Sequence, residues 1–122
     1  MEKNNCIFCR IAKKEMKAEI VYESDNFIAF PDVNPKCKGH TLIVPKKHFT
    51  NIIDMPSVLG NELLEVVKKV AEIRFKQGAE GFNLINNCGA SAGQLIMHVH
   101  FHLLPRKSKE KVNFPCDTEN NS

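Results

Sequence analysis

Nowhere does this chain of 122 residues approach the ~18 consecutive apolar residues that a membrane span requires, so an integral membrane protein is not expected. The charge in its opening Met1-Glu2-Lys3-Asn4-Asn5 has no apolar run behind it. No export leader is therefore expected, and the expected location is the cytoplasm, with the nucleus open to it if the source is eukaryotic. The cysteines make no disulfide scaffold: Cys6, Cys9, Cys37, Cys88 and Cys116 are odd in number and unevenly spaced, so reduced thiols are expected, some of them binding metal. Strong net charge is missing too. The balance is +3, with lysines scattered rather than gathered on one helix face, which argues against nucleic acid as the main partner and favours small anionic substrates. No internal repeat is visible. With 43% hydrophobic and 25% charged residues the chain suits one compact domain and not two, so a small-ligand site belongs at its surface or at a subunit boundary.

Histidine is also scarce, five in all, yet three of the five fall in His98-Val99-His100-Phe101-His102. Read as a β-strand over Gly93 to Arg106, the two-residue period sets His98, His100 and His102 on one face and Val99, Phe101 and Leu103 on the other, a strand half wet and half core. At a rise of ~3.3 Å per residue two such imidazoles can flank a single phosphate while the third points elsewhere. A metal site or a polar sheet face are the other readings of three histidines. A solvated face would use Thr, Lys or Glu more readily, which leaves chemistry as the stronger reading.

The rest of the chain supplies a frame for that strand. Residues 6–14 can form a short helix with Cys6 and Cys9 one turn apart and Ile7 and Ile11 on one face, either a lid or a metal half-site. Ile20 to Glu23 and Phe27 to Phe30 read as a hairpin, Asp32 to His40 as a loop, and Thr41 to Val44 as a third strand ended by Pro45. From Ser57 to about Gln77, Leu59, Leu63, Val66, Val67, Val70 and Ile73 follow helical spacing, with Glu62, Glu65, Lys69 and Lys76 outward. Asp54, Pro56 and Ser57 are the start signals and Gly78 the stop. Phe82 to Asn86 is a fourth strand and the histidine segment the fifth. Hairpin-length links with one long helix predict an α+β fold: a five-stranded antiparallel sheet packed on that helix, a short N-terminal helix beside it, and a domain over 1–106. The polar tail, 107–122, is expected to be mobile.

Two further features carry chemistry. The small-residue loop Asn87-Cys88-Gly89-Ala90-Ser91-Ala92-Gly93-Gln94 enters the histidine strand; alone it is most simply a turn, but in that position it reads as a cradle whose backbone N–H groups can approach an anion. Cys6-x-x-Cys9 has the spacing of half a zinc site, and His48 and His98 are available to complete it. A zinc-finger module is excluded, because no His-x₃₋₅-His pair on a helix follows.

His98-Val-His100-Phe-His102-Leu-Leu resembles the signature of the histidine triad family, three histidines alternating with apolar residues and followed by two more, and all seven positions match. The likeness extends in order from residue 6 to 106, through Cys-Ile-Phe-Cys, Ala29-Phe-Pro-Asp32, Gly39-His40-Thr-Leu-Ile-Val-Pro-Lys-Lys-His48 and Asn87. It implies the family's fold, paired as a homodimer whose sheets join edge to edge. It implies His100 as a nucleophile forming a nucleotidyl-imidazole, His102 as hydrogen-bond donor to the phosphoryl oxygens or helper of the leaving group, and His40 as a fourth histidine beside them. Asn87, Gly93 and Gln94 would contact the phosphate, Asp32 the ribose hydroxyls, and Ile7, Phe8, Phe30, Val33 and Leu42 would form an apolar purine slot, equally readable as plain core. Many relatives carry Ser or Thr where this chain has Leu95, leaving only a backbone N–H there. One branch of the family holds structural zinc with ligands matching Cys6, Cys9, His48 and His98. The activity so implied is hydrolysis of purine nucleoside phosphoramidates or acyl-adenylates to AMP or GMP. Dinucleoside polyphosphate hydrolysis, or a nucleotide-binding interaction protein without catalysis, are the alternatives.

Overall fold

The computed structural model describes residues 6–108, so all but two residues of the polar tail, 107–122, lie outside it. In chain order the elements are α1 (Ile7–Ala12), β1 (Tyr22–Glu23), β2 (Phe27–Pro31), β3 (Thr41–Pro45), α2 (Gly60–Lys76), β4 (Gly81–Ile85) and β5 (Phe101–Arg106). The strands make one sheet in the order β1-β2-β3-β5-β4, with every neighbouring pair antiparallel. The expected α+β fold is the one observed. Its links differ from expectation: only β1–β2 is joined by a hairpin-length turn, while 86–100 makes a long excursion between β4 and β5. That excursion is where the histidine segment sits.

The sheet is covered on both faces. Phe27, Ala29, Ile43, Phe101 and Leu103 pack against Val66, Val67, Val70 and Ala71 of α2. Ile28, Phe30, Leu42 and Val44 alternate with them and pack on the other side against Phe8, Cys9 and Ile11 of α1. This is why β2 and β3 read as continuous apolar runs rather than alternating ones. At ~1.5–3 kcal/mol for each fully buried aliphatic or Phe side chain, these two layers supply the main stabilisation of the fold.

The start of α2 is set differently from expectation. A 3₁₀ turn, Ser57–Leu59, leads into the helix with Pro56 before it, and Asp54 accepts from the backbone N–H of Thr50 and Asn51 (3.1 and 2.9 Å) instead of capping the helix. Glu62, expected to face water, accepts from Ser24 Oγ, Asn26 N and Asn26 Nδ2 (2.6, 2.7 and 2.8 Å) and ties α2 to the β1–β2 turn. Gly78, at φ +106°, ends the helix where its stop was expected. No helix among the described residues is long and apolar enough to cross a membrane.

Candidate active site and metal centre

β5 begins only at Phe101, so of the three clustered histidines only His102 lies in the ladder, opposite Leu42 of β3 and Ile85 of β4. Residues 98–100 leave the sheet and are held by discrete bonds. Val99 N–H donates to Phe49 O (2.7 Å) and Asn86 Nδ2 to His100 O (2.9 Å). The expectation of a wet histidine face is overturned: His98 and His102 are 0% exposed and His100 2%. The Phe8 ring of α1 lies edge-on to His98 and His100 at centroid distances of 5.7 and 5.1 Å, and the rings of His40 and His100 flank His102, each at 5.2 Å.

Burial and fixed partners decide the state of each ring. A carbonyl oxygen can only accept, so His100 Nδ1, 2.8 Å from His98 O, carries the proton. Burial lowers the His100 pKa against the opposing pull of that carbonyl and of Asp32, so the ring is neutral and Nε2 keeps its lone pair. That Nε2 is buried and has no hydrogen-bond partner. In His40, Nδ1 accepts from the Lys36 backbone N–H at 3.0 Å, which places the proton of the neutral ring on Nε2. His40 Nε2 then donates to His102 Nδ1 at 3.0 Å, and His102 is left with its proton on Nε2, a second buried atom with no partner. Burial first, then the nearby His100 and His40, push the His102 pKa down to about 3. The two rings, 5.2 Å apart, thus present unlike atoms: a lone pair on His100 and an N–H on His102. A neutral nucleophile beside a hydrogen-bond donor is what attack on a phosphoryl group needs.

Asp32, His40 and His102 also bring donor atoms within 4.8 Å of one another. The Lys36 N–H holds His40 in the tautomer whose Nε2 is protonated, so this cluster is a hydrogen-bonded chain rather than a cation cage. Asp32 Oδ2 stands 3.5 Å from His40 Nε2, and Oδ1 accepts from Asn34 N–H at 2.9 Å.

The loop before the triad is shaped by two glycines in conformations that L side chains avoid, Gly89 at φ +92° and Gly93 at φ +97°. Asn87 Nδ2 lies 3.6 Å from where a Cβ on Gly93 would sit, so the structure brings Asn87 and Gly93 together. Gln94 is placed otherwise. Its side chain is 1% exposed and donates to Thr50 O and Ile96 O while accepting from Gly89 N–H (2.6, 3.0 and 2.8 Å). Gln94 therefore braces the loop from inside, and Leu95 stands 60% exposed at its rim.

A cavity of about 470 Å³ opens beside α1 and is lined by Ile7, Phe8, Phe30, Asp32, Val33, Leu42 and Leu95. All five residues expected in an apolar slot are among them, together with the aspartate. The sequence reading missed Met16, Ala18 and Ile96, which also line it; they lie in irregular segments with no periodic signal to mark them. Ile7 and Ile11 do share this wall, although only Ile11 is buried.

A set of four side chains that could hold a metal is assembled from three parts of the chain. Cys6 Sγ is 3.3 Å and Cys9 Sγ 3.5 Å from His98 Nδ1, and Cys9 Sγ is 3.3 Å from His48 Nδ1. All four donors lie within 4.8 Å of one another. Tetrahedral zinc, at about 2.3 Å from sulfur and 2.0–2.1 Å from nitrogen, sets those atoms about 3.5 Å apart, so the spacing fits. His98 Nε2 donates to Pro45 O at 2.8 Å, which fixes the ring with the Nδ1 lone pair toward the thiols. Burial holds the His98 pKa at about 4 despite the pull of that carbonyl, keeping it in the form that ligates a metal.

Comparison with known proteins agrees with this geometry. A model of the HIT domain matches residues 13–109. An uncharacterised HIT-like protein of Methanocaldococcus jannaschii is 48% identical over 101 residues, 83% of this chain and 78% of that protein. An adenosine 5′-monophosphoramidase of Schizosaccharomyces pombe is 35% identical over 106 residues, 87% of this chain and 77% of its own. Among solved structures, a zinc-bound histidine triad family protein from Mycobacterium smegmatis has a TM-score of 0.84 at 31% identity, over 96% of this chain and 86% of that one.

Proposed function

The chain belongs to the HIT domain family, and on that premise we propose that it is a nucleotide hydrolase cleaving purine nucleoside phosphoramidates or acyl-adenylates to the nucleoside monophosphate. The observation that carries the proposal is the pair of unlike, unpartnered buried atoms, His100 Nε2 and His102 Nε2. The His100 lone pair attacks phosphorus, the P–N bond breaks with its electrons going to the departing amine, and the amine takes up a proton from water. His102 N–H donates to a phosphoryl oxygen as charge gathers there. Water then attacks the nucleotidyl-imidazolium, the electron pair returns to Nε2, and a proton is released. Throughout, the His98 carbonyl holds His100 Nδ1–H and stabilises the ring when it is charged.

The base lies in the cavity against Phe8 and Phe30, in a slot whose apolar walls stack a purine without reading its edges. Asp32 receives the ribose hydroxyls, and Asn87 and Gly93 with the backbone at Leu95 receive the phosphate. Cys6, Cys9, His48 and His98 hold zinc, which fastens α1 to the histidine segment and takes no part in the reaction. A homodimer is part of the reading: Phe82 and Leu84 stand exposed on the edge strand β4, and Phe75 of α2 packs beside Phe82 at 6.1 Å. The test is turnover of a fluorogenic adenosine phosphoramidate measured beside AMP binding. Turnover with release of AMP supports the reading, and AMP affinity without turnover overturns it.

A further inference from the structure

The β4–β5 ladder stops at the pair Ile85 and His102. Continued by one and two residues, an antiparallel ladder would set Asn86 against Phe101 and Asn87 against His100. Instead the side chain of Asn86 donates from Nδ2 to His100 O at 2.9 Å. The carbonyl that a further backbone rung would have satisfied is satisfied by a side chain, and the main chain is released one step early on both strands. On one strand Asn87 turns away to meet Gly93. On the other, His100 leaves the sheet while its ring swings back to donate to His98 O.

We propose that Asn86 is a positioning residue for the nucleophile: by substituting its amide for a ladder rung it sets where His100 Nε2 points and frees Asn87 for the phosphate loop. The inference rests on the reaction assigned above to His100. Three features carry it. The bond is made to the backbone of His100 itself, whose ring Nδ1 is held by the neighbouring carbonyl, so a shift of the peptide displaces the ring with it. Asn86 is half-buried, where an unmade bond costs more than at the surface. An amide also supplies a donor in a short, planar arm at a position where a strand-forming apolar residue would invite the ladder to continue.

The experiment uses the full chain with Asn86→Ala, Asn86→Asp and Asn86→Gln. Asn86→Asp keeps the shape and removes the donor, turning an oxygen toward His100 O, while Asn86→Gln returns a donor on a longer arm. Misplacing a reacting atom by about 1 Å costs on the order of a hundredfold, so kcat on the adenosine phosphoramidate is expected to fall by roughly 10- to 100-fold in the Ala and Asp variants, with KM little changed. Gln is expected to recover part of the loss. A residue that only stabilised the fold would lower the melting temperature and leave kcat per folded molecule alone, and that result overturns the proposal, as does an Asp variant within about twofold of the parent. The second readout is the ¹⁵N NMR signals of the His100 ring. They are expected to move in the Ala and Asp variants and return toward the parent in Gln, and unmoved signals overturn the proposal even if the parent turns over no phosphoramidate. In that last case the function assigned above has failed on its own evidence, and the ring signals alone decide the role of Asn86.

Discussion

Replacing His100 by Asn is the most informative single perturbation, because the structure dictates what the change keeps and what it removes. The amide nitrogen of Asn reaches the place where His100 Nδ1 donates to His98 O at 2.8 Å, so that bond, worth about 1 kcal/mol net, is retained. Lost are Nε2 and the edge contacts of the ring with Phe8 and His102, at 5.1 and 5.2 Å. Each such contact contributes about 0.5–1.5 kcal/mol. The variant should therefore be less stable by about 1–3 kcal/mol, a drop of roughly 5–15 °C in Tm for a domain of this size, and remain folded at 25 °C. Turnover should fall far more, by at least on the order of a thousandfold or about 4 kcal/mol in the barrier, since a deleted nucleophile has no substitute. AMP affinity and zinc content should stay near those of the parent, because neither the apolar slot nor the four metal-binding side chains change. The measurements are a melting curve, calorimetric titration with AMP, metal analysis, and single-turnover kinetics on the fluorogenic phosphoramidate. Turnover within about tenfold of the parent, a range that general acid–base help alone can span, would show that His100 is not the nucleophile and that the tautomer assignment has been given the wrong meaning.

His98→Ala should fail in the opposite order, losing metal and melting temperature first and activity as a consequence, because it removes a ligand and the anchor to Pro45 O; a variant with full zinc content and parental Tm would refute this. Protein purified without added zinc should carry one zinc per chain, and Cys6→Ser with Cys9→Ser should abolish it, so metal unchanged in the double variant would show the ligands misassigned. Stability should depend on pH through His102, whose folded pKa of about 3 lies below its unfolded value of about 6.5. The unfolded state takes up the proton first, so the contribution is fully present above pH 6.5 and is lost as pH falls toward 3; denaturant titrations at pH 7, 5 and 4 check the direction, and His102→Asn should flatten the slope. Light scattering at micromolar concentration should give about twice the 13.8 kDa chain mass, while Phe82→Glu, placing a charge on the exposed apolar edge, should shift it toward monomer.

What the residues determined by themselves was the frame of the fold and the family whose signature it carries. The helical spacing of Val66, Val67 and Val70, the apolar runs at Phe27 and Thr41, and the glycine after α2 marked the elements, because burial and backbone dihedrals act locally and leave a period in the chain. The Cys6-x-x-Cys9 pair and the alternation of His98, His100 and His102 marked the candidate donors, because only a few side chains carry a thiol or an imidazole. The tertiary structure decided the rest. An alternating pattern says which side chains share a face but not whether that face is wet: the histidines expected in solvent are buried, His98 and His100 beside Phe8 of α1 and His102 between the rings of His40 and His100. Nor does the histidine alternation say where its own strand begins: β5 starts only at Phe101, and just beyond the ladder the side chain of Asn86 donates to His100 O. The state of each imidazole was least legible of all. It is set by the Lys36 N–H and by the carbonyls of Pro45 and His98, backbone groups that every residue possesses in nearly the same form, so only their placement in the folded chain distinguishes a lone pair on one ring from a proton on the next.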